Sequence, residues 1–414
     1  MMITLIISAE KMSWSVMGLA IHSTSPRLIK PPAQSIPMKV AFVSDTHFGY
    51  PRFEADATAQ GRAAILDAAQ KADVLVLGGD IFDHRIPRLE TILEVAQVLA
   101  EARNILKSKN SGISPLILGI HGTHERRAKD ALNPIALMAK MGLMEDIHNK
   151  TIVVEKQEDG GKPQRLAFSG MGGLPDDLVR DALSRLSCKP ESGALNFFVF
   201  HQTMREFIQV PLDSLASVDD LPAGYDYYLC GHIHARHELM GGKLLLPGST
   251  VMTQMKDEEK TGKGYYIIDS LVPAAQRASF IPITTRPFEV VELRFEKSKP
   301  SEVRAAAEKE IQRLLSLSWP SKPILKLRLI GTLASDAADL DLSGIDAGEQ
   351  AFLFIDNQLD GSNLAAGLAQ LKEERFNRAT PLELGMALLR EQAGAAGLKP
   401  ERAQELFEKF SKEE

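Results

Sequence analysis

Val40-Ala41-Phe42-Val43-Ser44-Asp45-Thr46-His47 is a short apolar run that stops at two side chains able to bind a metal. Four later runs end the same way. The run at 74–77 leads to Gly78-Gly79-Asp80, then Asp83 and His84; 116–118 leads to His121-Gly122-Thr123-His124-Glu125. The run at 197–200 leads to His201, and 227–229 leads to Gly231-His232-Ile233-His234. Apolar runs of this length, bounded by polar residues, read as buried strands. Helical patterns over 62–70 and 89–106 lie between some of them. Strands alternating with helices predict an α/β fold with buried sheets. Such sheets bind ligands beyond the carboxyl ends of their strands, so five polar clusters at five strand ends point to one site.

The donor set narrows the chemistry. Carboxylates and imidazoles without thiolates suit manganese, iron or zinc. Two divalent ions a few ångströms apart need a shared carboxylate and can clamp both reacting oxygens of a phosphoester. Asp80 is the candidate bridge, because Gly78 and Gly79 let the backbone crowd close to it. Asp45/His47 and His232/His234 are each spaced by two, which in extended chain puts both side chains on one side. A lone His at a strand end is more often an ordinary hydrogen-bonded histidine, and a lone Gly-Asp is usually a turn. The joint order, each cluster after an apolar run, carries the metal-site reading. Cys188 and Cys230 read as ordinary thiols, Cys230 buried at a strand end.

With 414 residues, 44 % apolar and 25 % charged, the chain has ordinary globular usage and is too long for one small core. Two cysteines frame no disulfide scaffold and predict an intracellular, cytoplasmic protein. No uninterrupted apolar run reaches the length of a membrane span. The net charge of −6 argues against a basic nucleic-acid coat, not against a local positive centre. Residues 1–37 carry Lys11, Arg27 and Lys30 against Glu10, a net of +2, so the chain from Met38 carries −8. Two divalent ions would bring that to −4, concentrated where only Asp45 and Asp80 oppose them.

Five regions follow. Residues 1–37 read as a disordered extension or an over-extended start, with Met38 opening the first strand. Residues 38–285 form the strand-rich domain, and Arg286-Pro287 marks its end. A small α/β domain over 286–335 has strands at 288–295 and 324–330 around a helix at 301–315. Residues 336–375 read as a linker containing one apolar run at 351–355. Residues 376–414 predict a helix-loop-helix, with Thr380 and Pro381 opening its first helix. Leu382, Met386 and Leu389 make one apolar stripe, and Leu406, Phe407 and Phe410 another, each in need of a partner surface.

The sequence resembles the calcineurin-like metallophosphoesterases, and among them the Mre-eleven/SbcD nucleases of DNA double-strand-break repair, archaeal members in particular. Ser44-Asp45-Thr46-His47-Phe48-Gly49-Tyr50, Gly79-Asp80-Ile81-Phe82-Asp83, Gly231-His232-Ile233-His234 and Leu246-Pro247-Gly248-Ser249 carry the likeness. It implies a two-sheet αββα sandwich with a small α/β capping domain and a C-terminal helix-loop-helix. It also implies two manganese ions per subunit. Asp45, His47, Asp80 and His234 would hold one; Asp80, His201 and His232 the other, with Thr123 beside it. His124 would be the acid that protonates the leaving oxygen. Implied activities are 3′–5′ exonuclease on duplex DNA and endonuclease on single strands. Implied partners are DNA, a second copy of the chain, and a coiled-coil ABC-type ATPase bound by the terminal helix-loop-helix. Tyr50, Arg52, His84, Arg85, Arg126 and Arg127 lie beside the motifs and are candidate DNA contacts. One departure stands out: the family's Gly-Asn-His-Asp is Gly-Thr-His-Glu here, so Thr123 offers a shorter, weaker ligand. Competing readings are a phosphodiesterase or phosphatase for small molecules or proteins, and a scaffold with weakened catalysis.

Overall fold

Two six-stranded sheets lie face to face, and the strands ending in metal-type residues are their central members. The computed structural model describes residues 37–361 apart from 110–111, 129–130, 158–162, 208–214 and 274–275. The predicted extension at 1–37, apart from Pro37, and the predicted helix-loop-helix at 376–414 lie outside the described residues. The first sheet contains β1 (Lys39–Val43), β2 (Val74–Leu77), β3 (Leu116–Gly119), β4 (Glu145–Asp146), β11 (Gly264–Asp269) and β12 (Ala278–Pro282), in the order β12-β11-β1-β2-β3-β4. The second contains β5 (Thr151–Lys156), β6 (Gln164–Met171), β7 (Leu195–His201), β8 (Tyr227–Gly231), β9 (His237–Leu239) and β10 (Leu244–Leu246), in the order β5-β6-β7-β8-β10-β9.

Alternation along the strands decides which side chains go where. Val40, Phe42, Val74, Val76 and Leu118 of the first sheet meet Phe168, Phe197, Val199 and Leu229 of the second in one buried cluster. Aromatic rings stack across neighbouring strands there: Phe168 on Phe197 at 4.8 Å, and Phe197 on Tyr227 at 5.7 Å. Each buried Phe contributes roughly 1.5–3 kcal/mol relative to exposure. The alternate residues Ala41, Val43, Leu75 and Leu77 face outward onto α1 (Glu54–Lys71) and α2 (Leu89–Ser108). α3 (Pro134–Lys140) extends that layer. On the far side of the second sheet, α4 (Val179–Ser184) packs on Phe198, Phe200 and Leu244.

Register aligns the ends that matter. β1, β2 and β3 are parallel, with Val43 opposite Leu77 and Leu77 opposite Gly119. In the second sheet His201 lies opposite Gly231. The loops after these five strands therefore leave the sheets at one end.

The third unit is a three-stranded parallel sheet of β13 (Phe288–Ser298), β14 (Ile324–Leu333) and β15 (Phe352–Asp360), with α5 (Pro300–Leu315) between its first two strands. β15 corrects the sequence reading. It falls within 336–375, expected to be a linker, yet it pairs with β14 from Ile324↔Phe352 to Thr332↔Asp360. Polar side chains at Asp356, Asn357 and Gln358 masked the strand, but one of its neighbours, Lys326, supplies a partner for Asp356 at 3.2 Å. The unit docks on the first domain through Phe53, Ala57, Val251 and Met255, which bury Ile324 and pack on Phe288, Phe352 and Phe354. Arg286 fastens the junction with a bidentate bond to Asp56 at 2.5 and 2.6 Å.

Candidate metal centre

The loop after β1 is fixed by the loop after β2. Asp45 N donates to Gly79 O (3.1 Å), His47 N to Asp80 O (3.0 Å), and Phe48 N to Ile81 O (2.7 Å). Buried Phe48 and Phe82 anchor the far end. The two segments thus continue the sheet's pairing beyond the strands, but not in extended form. Asp45, His47 and Asp80 have φ of 53°, 48° and 47°, and His232 has 82°. The sequence reading of Asp45/His47 as neighbours along extended chain is corrected here. The backbone turns left-handed at each ligand, with Thr46 between them tied to Ile81 O, and this twist aims both side chains inward. Such conformations are costly for residues with a Cβ and concentrate at functional sites.

Close backbone approach is built in. A Cβ on Gly122 would lie 2.1 Å from Asp80 Oδ1, and one on Gly79 (φ +93°) would lie 2.7 Å from the His201 ring.

Three groups of ligand-type atoms gather among the described residues: Asp45, His47 and His234; Asp80, His201 and His232; and His47, Asp83 and His124, in which His47 presents its outward nitrogen to Asp83. In the first, His47 Nε2 lies 4.0 Å from Asp45 Oδ1 and 3.2 Å from His234 Nε2, and His234 Nε2 lies 3.8 Å from Asp45 Oδ1. In the second, His201 Nε2 lies 3.1 Å from Asp80 Oδ2. Thr123 Oγ1 sits among them, 3.2 Å from Asp80 Oδ2 and 3.4 Å from His232 Nδ1. Asp80 Oδ1 accepts from the amide of His124 at 2.8 Å.

The outward ring nitrogens test whether these rings suit an ion. His47 Nδ1 donates to Asp83 Oδ1 (2.9 Å) and His201 Nδ1 to Gly78 O (2.8 Å). Each bond keeps the proton on Nδ1, so Nε2 is the nitrogen that faces the site and can bind an ion once it has given up any proton, as metal-bound histidines require. Two nitrogen-and-oxygen donor groups, with Nε2 of these rings turned inward, fit divalent ions.

Burial raises the pKa of Asp45, and against burial the Asp83 hydrogen bond raises that of His47; the charges of the other ligand residues favour a cation. Burial alone would keep Asp80 neutral, but the charge and hydrogen bond of His201 outweigh it and hold its pKa well below the carboxylate range. Burial likewise opposes a charge on His201, yet Asp80 raises its pKa to about 9. Burial lowers His232 to about 4, with His201 adding repulsion, and depresses His234 strongly. An arriving cation would displace the His201 proton and meet His232 and His234 already neutral.

His124 stands at the edge. Its side chain is 44 % exposed, and Nδ1 donates to Asp83 O at 2.7 Å, leaving Nε2 free. Asp83, not Glu125, orients it. Glu125 is fully buried and accepts from the amides of Asp80, Phe82 and Gly122 at 3.1, 2.9 and 2.8 Å. Beside His124 opens a cavity of about 1080 Å³ whose walls include Asp80, His232, His234, Phe207, His237 and, from the third unit, Arg328.

The other sequence candidates sit apart from the ligands. Tyr50 is half-buried, its hydroxyl donating to Thr253 O at 3.0 Å. Arg52 lies over the Phe354 ring at 5.6 Å, at the junction with the third unit. His84 and Arg85 are exposed, Arg126 is half-buried, and Arg127 is exposed near Leu132 O. None of these six lines the cavity. Sequence reasoning missed Thr203, which bonds His232 Nε2 at 2.9 Å, and Thr253, which contacts His234 Nδ1. It gave Asp83 no site role, although the Gly-Asp-x-x-Asp spacing was a usable signal.

A fold of two facing sheets with this ligand constellation defines a metallophosphoesterase, and comparison agrees: residues 38–236 match the family model for calcineurin-like phosphoesterases. Beyond that match, the chain is similar to proteins described as DNA double-strand break repair protein Mre11. The Methanopyrus kandleri protein is 26 % identical over 311 residues, covering 69 % of this chain and 66 % of its own length. The Sulfurisphaera tokodaii protein is 27 % identical over 247 residues, 56 % of this chain and 59 % of its own. The Sulfolobus acidocaldarius protein is 24 % identical over 311 residues, 72 % and 76 %. The chain thus spans under two thirds of the first two relatives. The resemblance expected from the sequence, in superfamily and in repair branch, is borne out. Among the described residues no helix is long and apolar enough to cross a membrane.

Proposed function

We propose that the protein is a manganese-dependent DNA nuclease that trims duplex 3′ ends and cuts single strands during double-strand-break repair. The observation that carries this reading is the pair of ligand groups beside the half-exposed imidazole of His124. Two divalent ions, when bound, supply the nucleophile by lowering the pKa of water and neutralise charge on the phosphate. Asp45, His47 and His234 would hold one, and His201, His232 and Thr123 the other, with Asp80 shared. Asp80 and Asp45 are buried and balance the cations, while His124, held through Nδ1, offers Nε2 to protonate the leaving oxygen. Arg328 on the wall lets the third unit help select the substrate as a cap.

The protein would act as the nuclease subunit of a complex with a coiled-coil ABC-type ATPase, bound through Leu382, Met386, Leu389, Leu406, Phe407 and Phe410, and would associate with the nucleoid. Deleting 376–414 should abolish ATPase binding and spare cleavage. A homodimer is supported by Ile86, Leu89 and Leu93, which are 71 %, 79 % and 59 % exposed around the start of α2.

Cleavage of labelled duplex and single-stranded DNA with manganese, for wild type and His124→Ala, tests the reading. The variant should lose about 10²–10⁴ in rate and keep its metal. Equal rates would remove His124 from the chemistry. A second reading, a smaller phosphodiester substrate, draws on Glu206, Glu238, Asp257 and Glu258 in the cavity wall, whose charge opposes a polyanion. Hydrolysis of a nitrophenyl phosphodiester without DNA cleavage would favour it.

A further inference from the structure

Behind His234 lies a buried ion pair that the proposed chemistry does not use. Lys263 and Glu259 are each 3 % exposed and meet at 2.7 Å. Every proton of Lys263 has an acceptor: Nζ donates to Glu259 Oε1 at 2.7 Å, to Ser249 Oγ at 2.8 Å and to His234 O at 3.0 Å. Glu259 also accepts from the amides of Thr253 (3.2 Å) and Gln254 (2.8 Å) and from the Thr253 hydroxyl (3.4 Å). The Thr253 hydroxyl touches His234 Nδ1. Since His234 Nε2 faces His47 and Asp45, Nδ1 carries the proton. Donation then runs one way, from Nδ1–H to Thr253 Oγ1, and from the Thr253 O–H to Glu259 Oε1, where Lys263 also donates. One charge pair grips the ligand twice, by its ring through Thr253 and by its carbonyl through Lys263.

We propose that Lys263 and Glu259 are a positioning pair for His234. Through Thr253 they fix the tautomer and aim of its ring, and so set how tightly the Asp45–His47–His234 group binds a divalent cation. Partners behind a metal-bound histidine raise its basicity and hold its ring, and their loss typically weakens metal binding about 10–100-fold. The turn that carries Glu259 (Asp257–Thr261) is itself held from its other side by the third unit. Arg328 bonds Asp257 at 3.3 Å, and Lys260 bonds Glu289 at 2.9 Å. The proposal rests on reading the site as a metal centre, not on DNA being the substrate.

Calorimetric titration of manganese into the metal-free full chain tests it, with thermal unfolding in chelator measured alongside. Thr253→Val cuts the relay without touching a charge. It should weaken one of two bound ions about 10–100-fold, leave the other unchanged, and keep the chelator melting temperature. Thr253→Ser should restore binding. Replacing both charges together, Glu259→Gln with Lys263→Met, avoids a lone buried ion and should give the same selective loss. Thr253→Val binding both ions as wild type overturns the proposal. So does a loss shared equally by both ions, or one that Thr253→Ser leaves unrepaired. A wild-type chain that takes up no manganese overturns the metal centre with it, whereas normal uptake without DNA cleavage sinks only the nuclease reading.

Discussion

Asp83 serves His47 and His124 at once. Its Oδ1 accepts from His47 Nδ1 at 2.9 Å, its backbone carbonyl accepts from His124 Nδ1 at 2.7 Å, and the two rings meet edge to face at 5.0 Å. A ligand ring and the proposed acid therefore share one anchor. Asp83→Asn keeps the shape but weakens the acceptor for His47. We expect manganese affinity to fall about 10-fold or more and, because His124 is held by the backbone carbonyl that Asn retains, the cleavage rate to recover at saturating metal. A rate that stays low at saturating manganese would show that the Asp83 carboxylate also serves His124.

Thr123 Oγ1 lies within hydrogen-bond distance of Asp80 but only 3.4 Å from His232 Nδ1. A neutral hydroxyl is a poor ligand beside the amide oxygen that usually fills the position, so the Asp80–His201–His232 group should hold its ion more weakly. At limiting manganese the wild type should retain about one ion per chain and Thr123→Asn about two. Two equally tight ions in the wild type would contradict this.

His121 is buried, its Nδ1 has no hydrogen-bond partner, and the His148 ring lies 5.0 Å away. Burial, then the neighbouring His148, lowers its pKa to about 4 from 6.5. The unfolded chain therefore binds a proton between about pH 6.5 and 4 that the folded chain refuses, so stability falls as pH drops through that window. The shift is worth about 3 kcal/mol. Urea unfolding of metal-free protein at pH 7.5 and 4.5 should show a smaller loss for His121→Gln than for wild type. Parallel losses would place the pH sensitivity elsewhere.

Arg286 joins two domains with charged hydrogen bonds to Asp56, a bond to Lys322 O at 2.7 Å and a ring contact with Phe352 at 5.0 Å. Arg286→Ala should cost about 2 kcal/mol at this junction and open the chain near residue 286 to limited proteolysis while the sheets stay folded. An unchanged digestion pattern would show that the apolar contact around Phe53 suffices.

The five strands that lead to the candidate ligands were legible because they are uninterrupted apolar runs, and Asp45, His47, Asp80, His201, His232 and His234 were singled out by where those runs stop. The strand at 352–360 was not, because Asp356 and its neighbours look solvated until Lys326 and Arg328 lie beside them. Thr253, Glu259 and Lys263 had no local signal either. They reach His234 only because β11 crosses back to the first sheet, and a relay assembled by a long-range return leaves no periodicity in the sequence. Glu125 was visible as a departure from the family pattern, but its task of collecting three amides could not be read without the folded loops.

The ligands of each group come from strand ends far apart in the chain. Asp45 and His47 follow β1 while His234 follows β8, and Asp80 and His201 belong to different sheets. No single excursion of one loop can release an ion held by both, and the unfolded chain retains only fragments of either group. Ion capture is thus a reporter of global assembly. Each metal should act as a clasp between the sheets, adding to the unfolding free energy by RT ln(1 + [L]/Kd) and slowing the separation of the two halves. Chelation would then appear first as easier opening of the sandwich and only second as lost chemistry.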